Sequence, residues 1–237
     1  MCNISAMRFI VTLALSALLT QAAAPAAGPW ISLFDGKSMD AWRIFKTEKA
    51  PGMCATPGAA DCWEIVGGVL KKDGHANDIA SKQMFGDFEF ELEWNIGEAS
   101  NSGVFYRGTE EFNQIYWSAP EYQLLDNIKA DDNKKDNHLA GSVYDLFAAP
   151  KEAAYVAGQW NQTRIVAKGP HVEHWLNGKM VASYDVGTPA WDAAIDASKF
   201  KAARYPKFGR ATTGVLGIQG DHPGTLALRN IRIRELK

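Results

Sequence analysis

The segment Asp87-Phe88-Glu89-Phe90-Glu91-Leu92-Glu93-Trp94 alternates an acid with a large apolar residue at every step. A period of two puts Phe88, Phe90, Leu92 and Trp94 on one face of a strand and the acids on the other, which predicts a half-buried strand with a solvated acidic row. Outward from it, Leu226, Leu228, Ile231 and Ile233 alternate in the same way with Arg229, Arg232 and Arg234. The phase shifts at Asn230, which predicts a β-bulge. Val172, His174 and Leu176 run into Asn177-Gly178 and then Lys179 to Tyr184, and Asn-Gly between two such runs is a hairpin signal. Shorter strand candidates are Ile31 to Phe34, Trp42 to Phe45, Cys62 to Leu70, Ser102 to Arg107, Tyr122 to Leu125, Ser142 to Leu146, Gln159 to Ala167 and Val215 to Gln219. One helix is predicted, with Thr188 as cap, Pro189 at its first position and Trp191 to Phe200 as its body. Strands do not alternate with helices, which disfavours a parallel α/β fold. The count of short strands predicts an all-β, two-sheet sandwich with one short helix.

The 237 residues carry 25 Lys plus Arg against 27 Asp plus Glu, and 46% are hydrophobic. Such a chain suits one globular domain with a sizeable core. A formal charge of −2 offers no basic field for a nucleic-acid backbone. Eight Trp and 21 Gly lean towards turns and aromatic platforms. At the N-terminus Arg8 precedes the apolar stretch Phe9 to Leu19, and small residues follow from Gln21 to Ala26. Residues 1–24 therefore read as a secretory signal peptide, and residues 25–237 as a single mature domain, periplasmic or secreted and free of the membrane after cleavage. Export changes the meaning of Cys54 and Cys62, which flank the turn-rich loop Ala55 to Asp61. In an oxidising compartment they are expected to form a disulfide, a local staple contributing roughly 2–3 kcal/mol.

The polar residues that merit weighing are those embedded in apolar or Gly-rich runs. Asn101-Ser102-Gly103 opens a strand that ends on Arg107, a cation suited to orienting hydroxyls or polarising a carbonyl; a turn followed by a surface arginine is the plainer reading. Glu121 and Gln123 share one strand face, while Tyr122, Leu124 and Asp126 share the other. A carboxylate and an amide two residues apart serve sugar recognition and proton transfer alike, and an exposed polar face is an equal alternative. His138 lies in a polar loop, where a histidine is either a mobile acid or base or merely solvated. Gln219 ends an apolar strand and His222 follows in a Gly/Pro turn, which is either the lining of a site or a hairpin turn. His171, Glu173 and His174 do not converge along one strand, and the loop Asp131-Asp132-Asn133 lacks calcium-loop spacing, so no metal is assigned.

Taken in order, these segments resemble the 3-keto-disaccharide hydrolase domain family. The resemblance runs from Leu33-Phe34-Asp35-Gly36-Lys37 and Trp42 through Asn101-Ser102-Gly103, Arg107, Glu121, Gln123 and Asp126. It continues over Gly141 to Tyr144, Trp160-Asn161 and Trp175-Leu176-Asn177-Gly178 to Gln219, His222 and Arg229-Asn230-Ile231. It implies a concanavalin-like jelly-roll β-sandwich and an exported enzyme acting on glycosides already oxidised at carbon 3. A ketone there acidifies the C2 proton, so a base can remove it, the enolate can expel the glycosidic oxygen from C1, and water can add to the enone. The resemblance implies Glu121 or His138 as base, His222 as acid and Arg107 as enolate stabiliser. Asn101, Gln123, Asp126, Tyr144, Gln219 and Arg229 would bind the sugar. No redox cofactor is called for, since a separate oxidoreductase would make the ketone. A non-catalytic carbohydrate-binding domain and a conventional two-carboxylate glycoside hydrolase using Glu121 with Asp126 remain alternatives.

Protein recovered from the periplasm is expected to begin near Ala23 by mass spectrometry and to titrate no thiol after denaturation. A full-length N-terminus or two titratable thiols would contradict the export reading.

Overall fold

A computed structural model describes residues 27–237; the segment read as a signal peptide lies outside the described residues. Thirteen strands occur among them, β1 (Ile31–Ser32), β2 (Trp42–Ile44), β3 (Cys62–Val66), β4 (Val69–Asp73), β5 (Ile79–Phe85), β6 (Phe88–Ile96) and β7 (Asn101–Gly108), then β8 (Glu121–Leu125), β9 (Trp160–Lys168), β10 (His171–Leu176), β11 (Lys179–Asp185), β12 (Gly214–Ile218) and β13 (Leu226–Glu235). They form two antiparallel sheets. The larger has the order β11-β10-β9-β6-β13-β4-β3, with β1 also on β13, and the smaller β2-β5-β12-β7-β8.

The central strand β6 buries Phe88, Phe90, Leu92 and Trp94 between the sheets as the alternation predicts, and Trp94 Nε1 donates to Thr163 Oγ1 at 2.9 Å. Its acidic row is not simply solvated. Glu93 pairs with Arg229, Glu91 with Arg232 and Glu89 with Arg234 and Arg164, because β6 and β13 run antiparallel with these residues facing each other. Asn230 has φ +54, and the β6–β13 register shifts across it, so the bulge is where the phase change puts it. It lets β13 change neighbours, from β4 at residues 226–228 to β1 at residues 232–233.

Two tyrosines set which face of the smaller sheet looks inward. Tyr122 of β8 donates its hydroxyl to Trp175 O of the larger sheet at 3.1 Å. Tyr106 of β7 lies 2.9 Å from His174 Nε2 and bonds Tyr184. Burial pushes the His174 pKa down to about 4; as a neutral ring it donates from Nδ1 to Gly141 O at 3.0 Å and accepts from Tyr106. Residues 121 and 123 are thereby turned to the outer face. Half of that face is covered by the apolar cluster Phe45, Ala80, Phe105, Ile115, Ala119 and Val215. The other half is polar.

The helix, α1 (Pro189–Ala197), has the predicted cap: Thr188 Oγ1 accepts from Trp191 N at 3.3 Å. It stops three residues short of Phe200, with Ser198 Oγ taking up Ile195 O. Cys54 and Cys62 are bonded, as expected. Cys62 to Leu70 is the start of a hairpin turning at Gly67-Gly68. Ser142 to Leu146 is a turn making isolated bridges from Val143 to Tyr122 and Phe147, and no strand. β5 lacks the alternation that would announce it, exposing three consecutive residues, Lys82, Gln83 and Met84.

Arg107 is a correction to the sequence reading. It is buried at the end of β7 with φ +52, donating to Gly86 O at 2.9 Å, Gly169 O at 2.8 Å and Asp87 Oδ1 at 3.2 Å. The guanidinium clamps the β5–β6 and β9–β10 turns, roughly 20 Å along the strand from Asn101, and does not line the cleft described below. Arg107→Met should lower stability by about 2–3 kcal/mol by stranding those carbonyls, read from urea unfolding, while ligand affinity at the cleft described below stays at the parental value.

Candidate active site

A cleft of about 290 Å³ opens on the polar half of the smaller sheet's outer face. Its floor is Asn101 of β7, Glu121 and Gln123 of β8, and Gln219 just past β12. Gly103 stands opposite Gln123 in the ladder, and a Cβ there would lie 2.0 Å from Glu121 Oε1. Glycine at this position is what lets the Glu121 side chain lie across the sheet. The buried atoms Asn101 Oδ1, Gln123 Oε1 and Nε2, and Gln219 Oε1 have no hydrogen-bond partner. Buried amide groups are rarely left so, and here they converge on one cavity.

Four connecting segments wall the cleft, the first being the β7–β8 connection, which contributes Tyr116. The segment after β8 lies along that strand's free edge: Gly141 N donates to Gln123 O, Gln123 N to Ser142 O and Tyr144 N to Glu121 O, at 2.9, 3.2 and 3.0 Å. It contributes Asp132 and Tyr144, whose phenol burial and the nearby Asp132 hold protonated. The segment after α1 contributes Lys199, whose backbone N–H donates to Asp145 Oδ2 at 2.7 Å and whose ammonium lies 4.3 Å from the Tyr144 ring centre. Stacked rings fix this loop, with Tyr184 on Trp191, Trp191 on Phe208 and Phe208 on Phe200. The β12–β13 turn contributes Asp221 and His222. Buried Lys72 donates to His222 O at 2.7 Å, Gly74 O at 2.9 Å and Gly224 O at 3.2 Å, and Asp78 Oδ1 accepts from Gly220 N and Asp221 N at 2.8 and 3.2 Å. Burial pushes Lys72 down to about 8 and Asp78 up to about 6, the latter with help from Asp221.

The charges divide the proton-carrying groups. Burial raises Glu121 to about 8 against the pull of Lys199, with Asp132, Asp78 and Asp221 adding to the rise. His222 moves the other way: burial lowers it, Lys72 and Lys199 add to the fall, and Asp221 opposes. At neutral pH the cleft therefore holds a protonated carboxyl beside a neutral imidazole, an arrangement able to give a proton at one point and take one at another.

Of the residues singled out in the sequence, Asn101, Glu121, Gln123, Tyr144, Gln219 and His222 meet in this cleft. His138 does not line it. It is buried, its ring tilted against that of Tyr144 with centres 4.4 Å apart, with Nδ1 2.7 Å from Asp132 Oδ1 and Nε2 2.9 Å from Asp145 Oδ1. With both ring nitrogens engaged it is a prop for Asp132 and Tyr144, neither mobile nor solvated. Asp126 is tied to Ala99 N and Ile128 N at 2.9 and 3.0 Å, a turn-forming carboxylate that cannot partner Glu121. Arg229 lies on the outer face of the larger sheet, paired with Glu93 and stacked on Trp160 at 4.0 Å. The sequence reading missed Tyr116, Asp132, Lys199 and Asp221. Only Asp221, beside His222, carried a local signal. Among the described residues no group of three or more His, Cys, Asp or Glu is arranged to hold a metal.

Fold and cleft together define a galectin- or concanavalin-like sandwich with an acid–amide site on its smaller sheet. Residues 29–234 match the 3-keto-alpha-glucoside-1,2-lyase-like domain, and the chain belongs to that family. It is 31% identical over 231 residues to a 3-keto-disaccharide hydrolase of Bacteroides thetaiotaomicron, covering 89% of this chain and 79% of the relative. A crystal structure of a candidate glycosyl hydrolase from Parabacteroides distasonis superposes with a TM-score of 0.77 at 27% identity, covering 88% of this chain and 94% of that one. A Bacillus subtilis protein with a galectin-like fold, at 13% identity and a TM-score of 0.54, covering 90% of this chain and all of that one, shares the fold.

The raised Glu121 pKa has a consequence for stability. The folded state keeps a proton that the unfolded chain releases near the ordinary value of 4.5, so stability falls as pH rises from there to about 8 and is flat above. Glu121→Gln should remove that fall, gaining on the parent steadily between pH 5 and 8 in thermal unfolding. A constant difference between the two across that range would exclude the shift.

Proposed function

We propose that this chain is a carbohydrate hydrolase that cleaves the glycosidic bond of 3-keto-glycosides by C2 deprotonation, elimination and hydration. Membership of the family and the activity named for the Bacteroides relative support the hydrolase class and the keto substrate. The observation that carries the reading is the ring of unpartnered buried amides, Asn101, Gln123 and Gln219, around the Glu121 carboxyl. Hydroxyls of a bound sugar would satisfy them and hold the reacting carbons beside the titratable pair.

The electrostatics favour the reverse of the role pairing implied by resemblance alone. Neutral His222 takes the C2 proton, and the electron pair moves into the C3 carbonyl as an enolate, which the Lys199 ammonium stabilises. The enolate collapses, the C1–O bond breaks, and Glu121 gives its proton to the departing oxygen. Water then adds across the enone: its hydroxyl goes to C1, the proton on His222 returns to C2, and the proton left from water restores Glu121. Water and a glycoside enter, two sugars leave, and both groups regain their starting state. Arg107 and His138 take no part in these steps. The Cys54–Cys62 bond supports the exported, periplasmic or secreted location expected for the chain.

Matched native and 3-keto disaccharides test the substrate class, since only the keto form should release monosaccharides. Glu121→Gln should cost about 10²–10⁴ in turnover of the keto disaccharide. With a nitrophenyl 3-keto-glycoside, whose leaving group needs no proton, most of that loss should be recovered. His222→Ala should be inactive on both, because C2 deprotonation is still required. An equal loss for Glu121→Gln on the two substrates would make Glu121 the base and restore the opposite pairing.

A further inference from the structure

A cavity of about 880 Å³, larger than the cleft, is on the outer face of the larger sheet, the opposite side of the sandwich from the cleft. Trp30, Glu91, Gln162 and Arg232 are among its lining residues. It continues into two cavities of about 300 Å³ each, one bounded by Trp160 and Tyr155, the other by Trp175 and Arg164. Gln162, exposed at the centre of the sheet, lines all three. Three of the chain's eight tryptophans and a tyrosine that is 54% exposed thus border one continuous groove. A sheet face that only met water would not gather them.

The rings are held in place. Arg232 and Arg234 lie over Trp30 at 4.3 and 4.6 Å, Arg229 over Trp160 and Arg164 over Trp175 at 4.0 Å each. Trp175 Nε1 also donates to Glu173 at 2.7 Å. Rings fixed by guanidinium stacking need no further ordering when something binds. The charges cancel locally, because each of Glu89, Glu91 and Glu93 faces an arginine of β13. A polyanion or polycation therefore finds no net field here. Arg232, Glu91, Arg164 and Trp175 stand in one row across β13, β6, β9 and β10, so the row from the Trp30 end to Trp175 spans roughly 14 Å at the usual strand spacing. That is the length of a short oligosaccharide.

We propose that this groove is a second carbohydrate site, which binds a neutral glycan chain through its aromatic rings and the Gln162 amide and takes no part in bond cleavage. It would hold the enzyme on a polymer while the cleft on the other face acts on small soluble sugars. The proposal does not depend on the chemistry assigned to the cleft.

Native affinity electrophoresis in gels containing laminarin, dextran or soluble starch, with alginate as the anionic comparison, tests it. At least one neutral polysaccharide should retard the protein and alginate should not. The double substitution Trp160→Ala with Trp175→Ala should weaken retardation by about tenfold or more, the scale of losing stacked rings, with turnover of a soluble 3-keto-disaccharide unchanged. Glu121→Gln should be retarded like the parent. Should the double tryptophan variant fail to fold, Tyr155→Ala with Gln162→Ala, both at exposed positions, carries the same expectation. Absence of retardation by every neutral polysaccharide, retardation by alginate alone, or retardation untouched by the groove substitutions would each overturn the proposal.

Discussion

Everything at the cleft depends on Tyr122 being buried against the larger sheet. Its ring packs 4.6 Å from that of His174 and its hydroxyl donates to Trp175 O, so the pleat of β8 has no choice about the residues on either side. A slip of one residue would exchange the two faces, bringing Glu121 and Gln123 into an apolar core and exposing Tyr122 and Leu124. The cost of burying a carboxyl and an amide there without partners exceeds anything the outer face demands. The hydrophobic contact between sheets is thus the device that aims the polar groups. The bonds of the Tyr106 hydroxyl to His174 and to Tyr184 repeat the constraint one strand away and tie it, through the His174 bond to Gly141 O, to the loop that flanks Glu121.

The cleft concentrates groups that repel or strand one another when nothing is bound. Three carboxyl groups, Glu121, Asp132 and Asp221, share it with one ammonium, and three amides have atoms facing no partner. Such a cluster survives because the surrounding backbone is overdetermined. Lys72 pins the 222–224 carbonyls, Asp78 pins the amides of 220 and 221, and Asp145 gathers His138, Lys135 and the Lys199 amide on one carboxylate. Burial in this frame, with the neighbouring carboxylates adding to it, raises the proton affinity of Glu121. Binding a polyhydroxy ligand would satisfy the amides without the site having to reorganise.

The layering of the fold was legible because it rests on period-two burial, which a single strand displays in full. Asp87 to Trp94 and Leu226 to Glu235 announce themselves, and Asn230 even marks the bulge. Half of the cleft was legible for a related reason: Glu121, Gln123, Asn101 and Gln219 sit on or beside strands, where sequence spacing fixes the face. Asp132 and Lys199 arrive from loops whose course is set by contacts far along the chain, such as the stacked series from Tyr184 to Phe200, and no spacing records that. Arg107 and Asp126 misled for the opposite reason. They sit at the ends of the right strands, Arg107 near the end of β7 and Asp126 just past β8, yet a positive φ in one case and two nearby backbone amides in the other turn their polar groups to local duties. Residue type and strand position say what a side chain could bind, and the nearest unpaired backbone group decides whether it is already taken.

The same rule separates the two faces of the sandwich. On the outer face of the larger sheet every acid of β6 has an arginine opposite, and what is left uncommitted is aromatic surface and the Gln162 amide. On the outer face of the smaller sheet Gly103 removes a side chain where the ladder would otherwise supply one, and the uncommitted groups are a carboxyl, three amides and an imidazole. One face is electrically quiet and adhesive, the other charged, confined and short of hydrogen-bond partners. Chemistry that must move a proton belongs on the second, because a group changes its protonation state readily only where its surroundings have already shifted its affinity towards the working pH. The glutamates of β6 and the arginines of β13 are spent on one another, and for that reason the larger cavity is suited to holding a ligand and the smaller one to transforming it.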